Sequence, residues 1–567
     1  FIGSDHYGSL NDARVLLERK DPDGRALGFL GGTRAGIGDV FTPSMALGAA
    51  SFGGRGIYYT SAPLEALDLS TPLDLRGELP LGEDVELYVN EVLQATQASA
   101  VQGRYEFLDV PLTFGLNTIR LVFYGPQGQT REQVRRINFG TGQVAAGQFV
   151  MRLGAVEQNR PVFQIGKPLA DASTGQARLS AVFDYGINST LTLSGGLARY
   201  TPQGRDARNV GLLGLRTSIG AVAGQLDVAR DDQGGQGATL GVAARPFGIS
   251  LIGRHSEYSG GFIDETRQFG FGDAVSLRRA TDLRADVQFR PVNGVSVPLS
   301  LDLRRLERTD DTDLFTAEAR TSLPLDRYYL SSSLAYENEG TTEGRRDRLV
   351  GAFDVATLVA ARAQLRGGLS YEIGPDAGID TAYANVDIQI SERRALRLGV
   401  VRALGDTGAT TLQASGLYRA LRFDVSVNAA YEADRGDWQI GLQMGFGLSF
   451  DPFARRYRMT RPGISSGGSV AVDAFIDANS DGVRQTTESG VSNVVVETPS
   501  GPAITGSDGR VLGGGLGDPA SARLRVNLEG IDDPFLVGPA QAIDLVPRPG
   551  RTAVVLYPMQ VTSEVEL

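Results

Sequence analysis

The amino-acid sequence predicts an all-β protein: a large transmembrane antiparallel β-barrel with an inserted β-sandwich and a C-terminal β-sandwich domain. Apolar and polar residues alternate with period two along roughly 300 residues, in segments of about ten residues that end at turn residues. The 73 glycines are scattered through the chain, as many strands joined by many turns require. No run of about 18 apolar residues occurs, which excludes an ordinary transmembrane helix but not barrel strands.

Residues 282–290 show the alternation most clearly, with apolar residues at odd positions and polar or charged residues at even positions. A soluble sandwich turns such an apolar face inward, whereas a membrane barrel turns it outward against lipid. The polar face carries charges of both signs strand after strand, at Asp282, Arg284, Asp286, Arg290, Asp302, Arg304, Arg422 and Asp424. Uniform segment length and aromatic residues near segment ends favour a barrel in the bacterial outer membrane, in contact with the lipid bilayer. A soluble array of β-sandwiches is the alternative.

Composition narrows the class of protein further. The chain has 567 residues, of which 41% are hydrophobic and 21% charged, so it is neither a disordered chain nor a bundle of membrane helices. Its net charge of −11 argues against nucleic acid as a partner, and the lack of cysteine excludes disulfides and thiolate metal sites. The chain opens with Phe1-Ile2-Gly3-Ser4 rather than a leader, from which we expect a processed or trimmed terminus.

The alternating pattern is interrupted between about residues 63 and 140, where the strand segments are shorter and have turns of their own. This stretch predicts a small inserted β-sandwich. The predicted organisation is first barrel strands at 1–62, a plug-like β-sandwich at 63–140, the main transmembrane barrel at 141–450, a linker at 451–466 and a C-terminal β-sandwich domain at 467–567.

The alternation ends in the segment 443–450, which reads polar-x-Gly-x-x-apolar-x-aromatic. It resembles the terminal-strand signal of bacterial outer-membrane barrels, and this resemblance implies the outer-membrane insertion machinery as a partner. A basic stretch that we interpret as a linker follows it.

Several motifs resemble those of the fimbrial ushers, the outer-membrane assembly proteins of chaperone–usher pili. The barrel motifs are Gly38-Asp39 and Arg55-Gly56-Ile57, and the plug motifs lie at 72–77, 85–90, 103–111 and 115–125, followed by Ala146-Gly147-Gln148-Phe149. The resemblance covers residues 36–155 by motif and 155–450 by architecture. It implies a gated pore that exports and assembles protein subunits, in which an arriving periplasmic chaperone–pilin complex displaces the plug. The sequence departs from ushers in having no recognisable amino-terminal chaperone-binding domain and no cysteines in its terminal domain.

The terminal domain contains one complete metal-site motif, D-x-[DN]-x-[DN]-G-x₅-E. Calcium prefers several hard oxygen ligands in a tight loop, so the motif predicts a structural calcium site. The predicted ligands are the side chains of Asp477, Asn479, Asp481 and Glu488 and the backbone carbonyl of Val483. The flanks have strand spacing, which excludes an EF-hand; the domain resembles adhesin B-type and carboxypeptidase-regulatory-like β-sandwich modules. An Asx-rich turn satisfied by its own backbone is the alternative interpretation.

The sequence does not predict an enzyme. The two histidines, His6 and His255, stand in unrelated contexts, and no nucleophile elbow or phosphate-binding loop stands out, so no catalytic or cofactor-binding residue is proposed. The leading hypothesis is an usher-like gated export pore. A porin or other export channel whose insert is a constriction is the second hypothesis.

Overall fold

The computed structural model describes most of the chain. The described residues are 2–4, 10–21, 23–28, 31–63, 73–78, 84–90, 92–97, 104–110, 112, 115–124, 130–139, 144–164, 173–267, 276–292, 295–325, 327–341, 344–360, 362–374, 377–391, 393–405, 408–420, 422–460, 468–498, 501–514, 516, 522–531, 533–539, 541–548 and 550–562. Among them, no helix is long and apolar enough to cross a membrane.

The N-terminal strands divide between a small hairpin and the barrel. Strands β1 (Ile2–Ser4) and β2 (Leu10–Ala13) pair only with each other, whereas β3 (Leu16–Lys20), β4 (Arg34–Phe41) and β5 (Gly53–Thr60) belong to the barrel sheet. We expected all of residues 1–62 to supply barrel strands. The hairpin strands have three and four residues and form a two-stranded sheet of their own, so they supply no barrel strand.

The inserted segment folds as two facing sheets. Its strands are β6 (Leu73–Glu78), β7 (Asp84–Val89), β8 (Val92–Gln97), β9 (Arg104–Val110), β10 (Gly115–Tyr124) and β11 (Thr130–Phe139). One sheet has the order β11-β10-β7-β8 and the other pairs β6 with β9. Buried apolar residues from both sheets, including Leu75, Leu87, Phe107 and Phe123, form one hydrophobic core. The insert therefore has the sandwich architecture that the sequence predicts.

A long run of antiparallel strands completes the barrel. They are β12 (Phe149–Gln158), β13 (Ala177–Asn188), β14 (Leu191–Tyr200), β15 (Arg208–Ile219), β16 (Val222–Asp231), β17 (Gln236–Ala244), β18 (Ser250–Ser259), β19 (Leu277–Val292), β20 (Val295–Arg308), β21 (Asp313–Leu325), β22 (Tyr328–Thr341), β23 (Gly344–Ala360), β24 (Ala363–Ile373), β25 (Gly378–Ser391), β26 (Arg394–Ala403), β27 (Thr410–Arg419), β28 (Asp424–Glu432) and β29 (Asp437–Gly445). Each strand pairs with the next, β12 pairs with β5, and the sheet has the strand order of a closed barrel, with β29 next to β3. Short 3-10 turns lie at Pro246–Gly248 and Glu265–Arg267.

The two faces of the barrel wall have opposite polarity. On β15 and β16, Leu213, Leu215, Leu226 and Val228 point outward and are exposed. The residues between them point inward, where the ion pair of Arg216 with Asp227 is buried. The same inversion of polarity recurs on the other strands and is what a lipid-facing barrel requires. The predicted fold class, a transmembrane antiparallel β-barrel, is confirmed.

The barrel sheet ends earlier than predicted. We expected its last strand to run to Phe450, but β29 ends at Gly445, and β30 (Gly447–Asp451) pairs with β31 (Arg456–Thr460) instead. The Asp451 carboxylate accepts hydrogen bonds from the backbone N–H groups of Phe453 and Ala454 and so closes this hairpin. Part of the segment predicted as a linker is therefore a strand.

The C-terminal domain is a β-sandwich. Its strands are β32 (Ser469–Ile476), β33 (Val495–Thr498), β34 (Gly501–Ile504), β35 (Arg510–Gly514), β36 (Ala522–Asn527), β37 (Leu536–Val537), β38 (Ala542–Leu545) and β39 (Thr552–Val561). They form two sheets, β35-β32-β39-β37 and β34-β33-β36-β38, over one apolar core. Most strands of this domain are short. Strands β32 and β39 pair in parallel.

The two ends of the barrel differ in their connections. Turns such as 189–190 and 220–221 define a short-turn end, and connections such as 42–52 and 201–207 define a long-loop end. Since neighbouring strands run in opposite directions, the insert and the C-terminal domain both leave the barrel at the short-turn end. Arg548 of the C-terminal domain donates a hydrogen bond of 2.8 Å to Asp23, in the β3–β4 connection at that end.

Candidate functional site: the barrel lumen and its insert

Strand β7 gives the insert two unlike faces. Val85, Leu87 and Val89 point into the core of the sandwich, and the intervening Asp84, Glu86 and Tyr88 point to the opposite face. This alternation follows from the period-two geometry of a strand. We call the second face, completed by Leu93 of β8 and Val122 of β10, the wall-facing surface of the insert.

The wall-facing surface binds the inner wall of the barrel through a charge cluster. Asp84 accepts a hydrogen bond of 3.0 Å from Arg366 of β24 and lies 2.9 Å from the guanidinium of Arg397 of β26. Arg366 also lies 3.5 Å from Glu86, and both arginines contact the fully buried Asp387 of β25. Asp84 and Glu86 of the insert therefore add negative charge beside two arginines that contact Asp387 of the wall.

Two neighbouring strands hold the insert by polar and aromatic contacts. The backbone N–H of Leu93 donates a 3.2 Å hydrogen bond to the Ser322 hydroxyl of β21, and Arg320 of the same strand donates to the carbonyl of Gln94. Tyr88 meets Tyr329 of β22 edge to face, with ring centroids 5.5 Å apart. All three wall residues lie on the polar, inward face of their strands. The insert therefore lies inside the lumen, against β21–β26 and toward the short-turn end.

At the long-loop end, two loops narrow the lumen. The connection 42–52 and the segment 260–267, here called the inward loops, fold into the barrel. Their apolar side chains, including Met45, Leu47 and Phe262, are buried against inward-facing residues of β13–β20. The loops are joined to each other by the backbone N–H of Gly48, which donates a 3.0 Å hydrogen bond to Asp264.

The inward loops are also anchored to the wall by arginines. Arg254 donates a 2.6 Å hydrogen bond to the Ala46 carbonyl, and the fully buried Arg178 binds both the Ala50 carbonyl and Glu265. The Tyr200 hydroxyl donates a 2.6 Å hydrogen bond to the Ile263 carbonyl. These contacts make the inward loops part of the wall rather than a detachable body, in contrast to the insert, which has a core of its own.

The predicted calcium ligands come together in one turn after β32. Asp477 accepts hydrogen bonds from the backbone N–H groups of Asp481 and Gly482, and Glu488 accepts from those of Ala478 and Gln485. The positive φ of Gly482, 72°, is the sharp turn that the motif assigns to glycine.

Side-chain bonds complete this turn. Asn479 donates to Asp481, and the backbone N–H of Val483 donates to the same carboxylate at 2.8 Å; these hydrogen bonds lower the pKa of Asp481, the Val483 amide being the larger cause. Within the described residues, no group of three or more His, Cys, Asp or Glu side chains is arranged as a metal site. Calcium binding by Asp477, Asn479, Asp481, Val483 and Glu488 stays a prediction.

The sequence predicted a plug at residues 63–140 but singled out none of the residues that bind it to the wall. The alternation of Asp84, Glu86 and Tyr88 along β7 was visible in the sequence and indicated a polar face. The wall partners of this face, Arg366 and Arg397, occupy inward-facing positions, as other arginines of the wall do. Nothing in that pattern singles them out, because the pairing depends on where the insert sits.

Fold and site together define a class of protein: a transmembrane β-barrel whose lumen holds a folded domain inserted between two of its strands and bound to the wall by non-covalent contacts. No family model and no curated protein matches the sequence.

Solved structures with a similar fold include two of the P pilus usher. The PapC translocation pore is 13% identical, with a TM-score of 0.40, over 77% of this chain and 86% of that chain. An E. coli P pilus tip assembly intermediate, PapC-PapD-PapK-PapG, is 11% identical, with a TM-score of 0.48, over 98% of this chain and 75% of that chain. The E. coli ferric-catecholate import receptor Fiu is 12% identical, with a TM-score of 0.31, over 76% of this chain and 96% of that chain.

Proposed function

We propose that this chain is a gated pore of the bacterial outer membrane, usher-like in function, that exports and assembles protein subunits. In this proposal the insert is the plug of the resting pore, and an arriving periplasmic chaperone–subunit complex displaces it. The chain is a conduit and not an enzyme.

The observation that carries the proposal is the attachment of the insert to the lumen wall. The insert has its own hydrophobic core, so it remains folded when it leaves the wall. Among the described residues, its contacts with the wall include a charge cluster around Asp84, two hydrogen bonds, and a small apolar cluster in which Tyr88 packs on Tyr329. Water in the lumen can replace polar contacts of this kind, at a cost of about 1.5–3 kcal/mol for a hydrogen bond to a charged group. A folded body held in this way is suited to being displaced.

The position of the C-terminal domain supports the same proposal. It leaves the barrel at the short-turn end, which faces the periplasm in outer-membrane barrels. Its two sheets have edge strands, among them β34 and β38 in the described residues, to which an extended segment of a subunit can add by main-chain hydrogen bonds. Handover by strand addition needs no nucleotide. The partners would be the lipid bilayer, chaperone–pilin complexes and, during biogenesis, the outer-membrane insertion machinery.

The second candidate function is a porin whose insert is a fixed constriction. The inward loops favour it, because they narrow the long-loop end independently of the insert. In this case the insert would stay on the wall in the working pore, and no protein partner would move it.

Deleting residues 63–140 from the full chain and recording single channels in planar bilayers tests the proposal. We expect a several-fold rise in conductance, because the body on the lumen wall is removed. Unchanged conductance would show that the insert is not a plug. Adding a purified chaperone–subunit complex to the intact pore separates the two functions: it should open a gated export pore and leave a porin unaffected.

A structural calcium ion in the C-terminal domain is part of the proposal. The turn gathers the oxygens of Asp477, Asn479, Asp481 and Glu488, and calcium bound there would fix the loop between β32 and β33 without any catalytic role.

A further inference from the structure

The hairpin of β30 and β31, residues 447–460, has its polarity inverted relative to a soluble ribbon. On one face Ser449 is fully buried, and its hydroxyl shares a 3.0 Å hydrogen bond with that of Thr460. On the other face Leu448 is 55% exposed, and its neighbours Phe450, Tyr457 and Met459 are exposed as well. A polar face buried and an apolar face exposed is the arrangement of the barrel wall itself.

The exposed apolar residues of the hairpin continue the even-numbered alternation of the last barrel strand. Even-numbered residues point outward along β29, at Trp438, Ile440, Leu442 and Met444, and exposed residues follow at Phe446, Leu448 and Phe450. The apolar, exposed positions therefore keep the same spacing along the chain across the change from barrel strand to hairpin at Gly445.

The tip and return strand of the hairpin are basic and aromatic. Arg455 and Arg456 are exposed, and Tyr457 is 71% exposed and packs edge to face on Phe450 at 5.5 Å. Arg456 is in register with Asp451 and so points to the face of β31 opposite Tyr457, while Arg455 lies in the turn. Exposed arginines that flank a tyrosine are typical of the membrane–water boundary, where the ring lies at headgroup level and the guanidinium binds phosphate. The chain as a whole has a net charge of −11, so this positive patch is a local feature.

The buried face of the hairpin is joined to the C-terminal domain. The Thr552 hydroxyl of β39 donates a 2.6 Å hydrogen bond to the Phe450 carbonyl, and the Arg510 guanidinium lies 4.8 Å from the centre of the Phe453 ring, in the hairpin turn. Whatever holds the exposed face of the hairpin therefore also holds the C-terminal domain beside the pore.

We propose that this hairpin is a membrane-surface anchor that binds anionic phospholipid of the leaflet at the short-turn end, with Leu448, Phe450, Tyr457 and Met459 in the acyl–headgroup boundary and Arg455 and Arg456 on lipid phosphate. The inverted polarity and the alternation shared with the last barrel strand select lipid as the occupant, and the arginines select an anionic headgroup. The proposal rests on the membrane placement of the barrel but not on the cargo of the pore.

The chain contains no cysteine, so a single cysteine can be labelled without background. Full-length Tyr457→Cys, carrying an environment-sensitive fluorophore, is reconstituted in vesicles of phosphatidylcholine with phosphatidylglycerol. Quenching by doxyl-labelled lipid and by aqueous iodide is then measured. Leu213→Cys on the outer face of β15 and Val483→Cys in the far loop of the C-terminal domain are the lipid and water references.

We expect the probe at position 457 to be quenched by doxyl lipid as at 213 and to be protected from iodide. The double variant Arg455→Gln/Arg456→Gln should weaken lipid quenching at 457, since each arginine near an anionic surface changes partitioning roughly fivefold. Vesicles of pure phosphatidylcholine should likewise weaken lipid quenching at 457.

Three outcomes would overturn the inference. Iodide quenching at 457 equal to that at 483 places the hairpin in water, and protection from both quenchers assigns it to a protein contact. If lipid quenching at 457 changes neither with the arginine substitutions nor with the phosphatidylglycerol content, the hairpin does not bind an anionic headgroup. If 213 itself is not quenched by lipid, the barrel placement fails, and that result is distinct from failure of the hairpin alone.

Discussion

The Asp84 carboxylate of the insert lies 2.9 Å from the Arg397 guanidinium of the barrel wall. Arg397 and its neighbour Arg366 share one wall carboxylate, the fully buried Asp387. When the insert leaves, the two arginines lose the carboxylates of Asp84 and Glu86, and this part of the wall becomes more positive. Docking of the insert is thus tied to the charge balance of the wall.

Asp84→Asn should increase the opening frequency of the pore in planar bilayers. The substitution keeps the shape of the side chain but removes its charge, and hydrogen bonds to charged groups contribute about 1.5–3 kcal/mol, or at least a tenfold change in the closed–open equilibrium. Asp227→Asn is the matched control, because Asp227 forms a buried pair with Arg216 on the wall. If both variants open equally often, the Asp84 cluster is not what holds the insert.

Tyr329→Ala should also increase opening, through loss of the aromatic contact with Tyr88. Aromatic pairs contribute about 0.5–1.5 kcal/mol beyond their buried area, so a several-fold effect is expected. This effect should be insensitive to salt, in contrast to that of Asp84→Asn. Tyr336→Ala, on the outward face of the same strand, should leave gating unchanged; a gating change there as large as at Tyr329 would contradict the assignment of faces.

The barrel could be predicted from the sequence because the alternation of apolar and polar residues is visible within each strand. Alternate residues of a strand point to opposite faces, so Leu213 and Leu215 on one side and Arg216 on the other are assigned without knowing any partner strand. The choice between lipid outside and water outside rested on uniform segment length and on aromatic residues near segment ends; the buried pair of Arg216 with Asp227 shows that the charged face points inward. The insert was detectable for the same reason, since its first four strands, β6 to β9, have only six or seven residues each.

The contacts of the site could not be predicted, because they join residues far apart in the chain. The approach of Asp84 to Arg366 and Arg397 depends on the docking angle of a folded body, which no local pattern records. The end of the barrel was misplaced for a related reason. Alternation continues through Phe446 and Phe450, and it reports which face is apolar but not which strand is the partner.

Leu213→Arg should destabilise the protein in lipid vesicles by about 2–4 kcal/mol, the cost of an arginine on the lipid face near the bilayer midplane. Leu213 is 64% exposed, so in a soluble array of sandwiches the same substitution would change stability by only about 0.5 kcal/mol. Ser218→Arg on the inward face of the same strand is the control. Equilibrium urea unfolding measures both, and equal stability of the two variants would favour the soluble alternative.

Calcium should stabilise the C-terminal domain. A ligand at 100 times its dissociation constant contributes about 2.7 kcal/mol, so millimolar calcium should raise the thermal midpoint of this domain by several degrees. Glu488→Gln should abolish the calcium-dependent rise, whereas Asp544→Asn, which removes an exposed pair with Arg523, should retain it. Differential scanning calorimetry with calcium and with a chelator measures the shift. Identical thermal midpoints with calcium and with the chelator would show that the turn is held by its own backbone and not by calcium.

The same turn should loosen in acid in the absence of calcium. The Val483 amide and the Asn479 side chain lower the pKa of Asp481, so the folded loop favours the ionised carboxylate. Its stabilising effect is therefore fully present above the ordinary aspartate pKa of about 3.9 and is lost as the pH falls below that value, through the lowered pKa of the folded state. Hydrogen exchange at the Val483 amide, corrected for intrinsic rates, should lose protection in this range. Asp481→Asn should remove that pH dependence, and protection of the variant that still falls with the same midpoint would show that another group controls the loop.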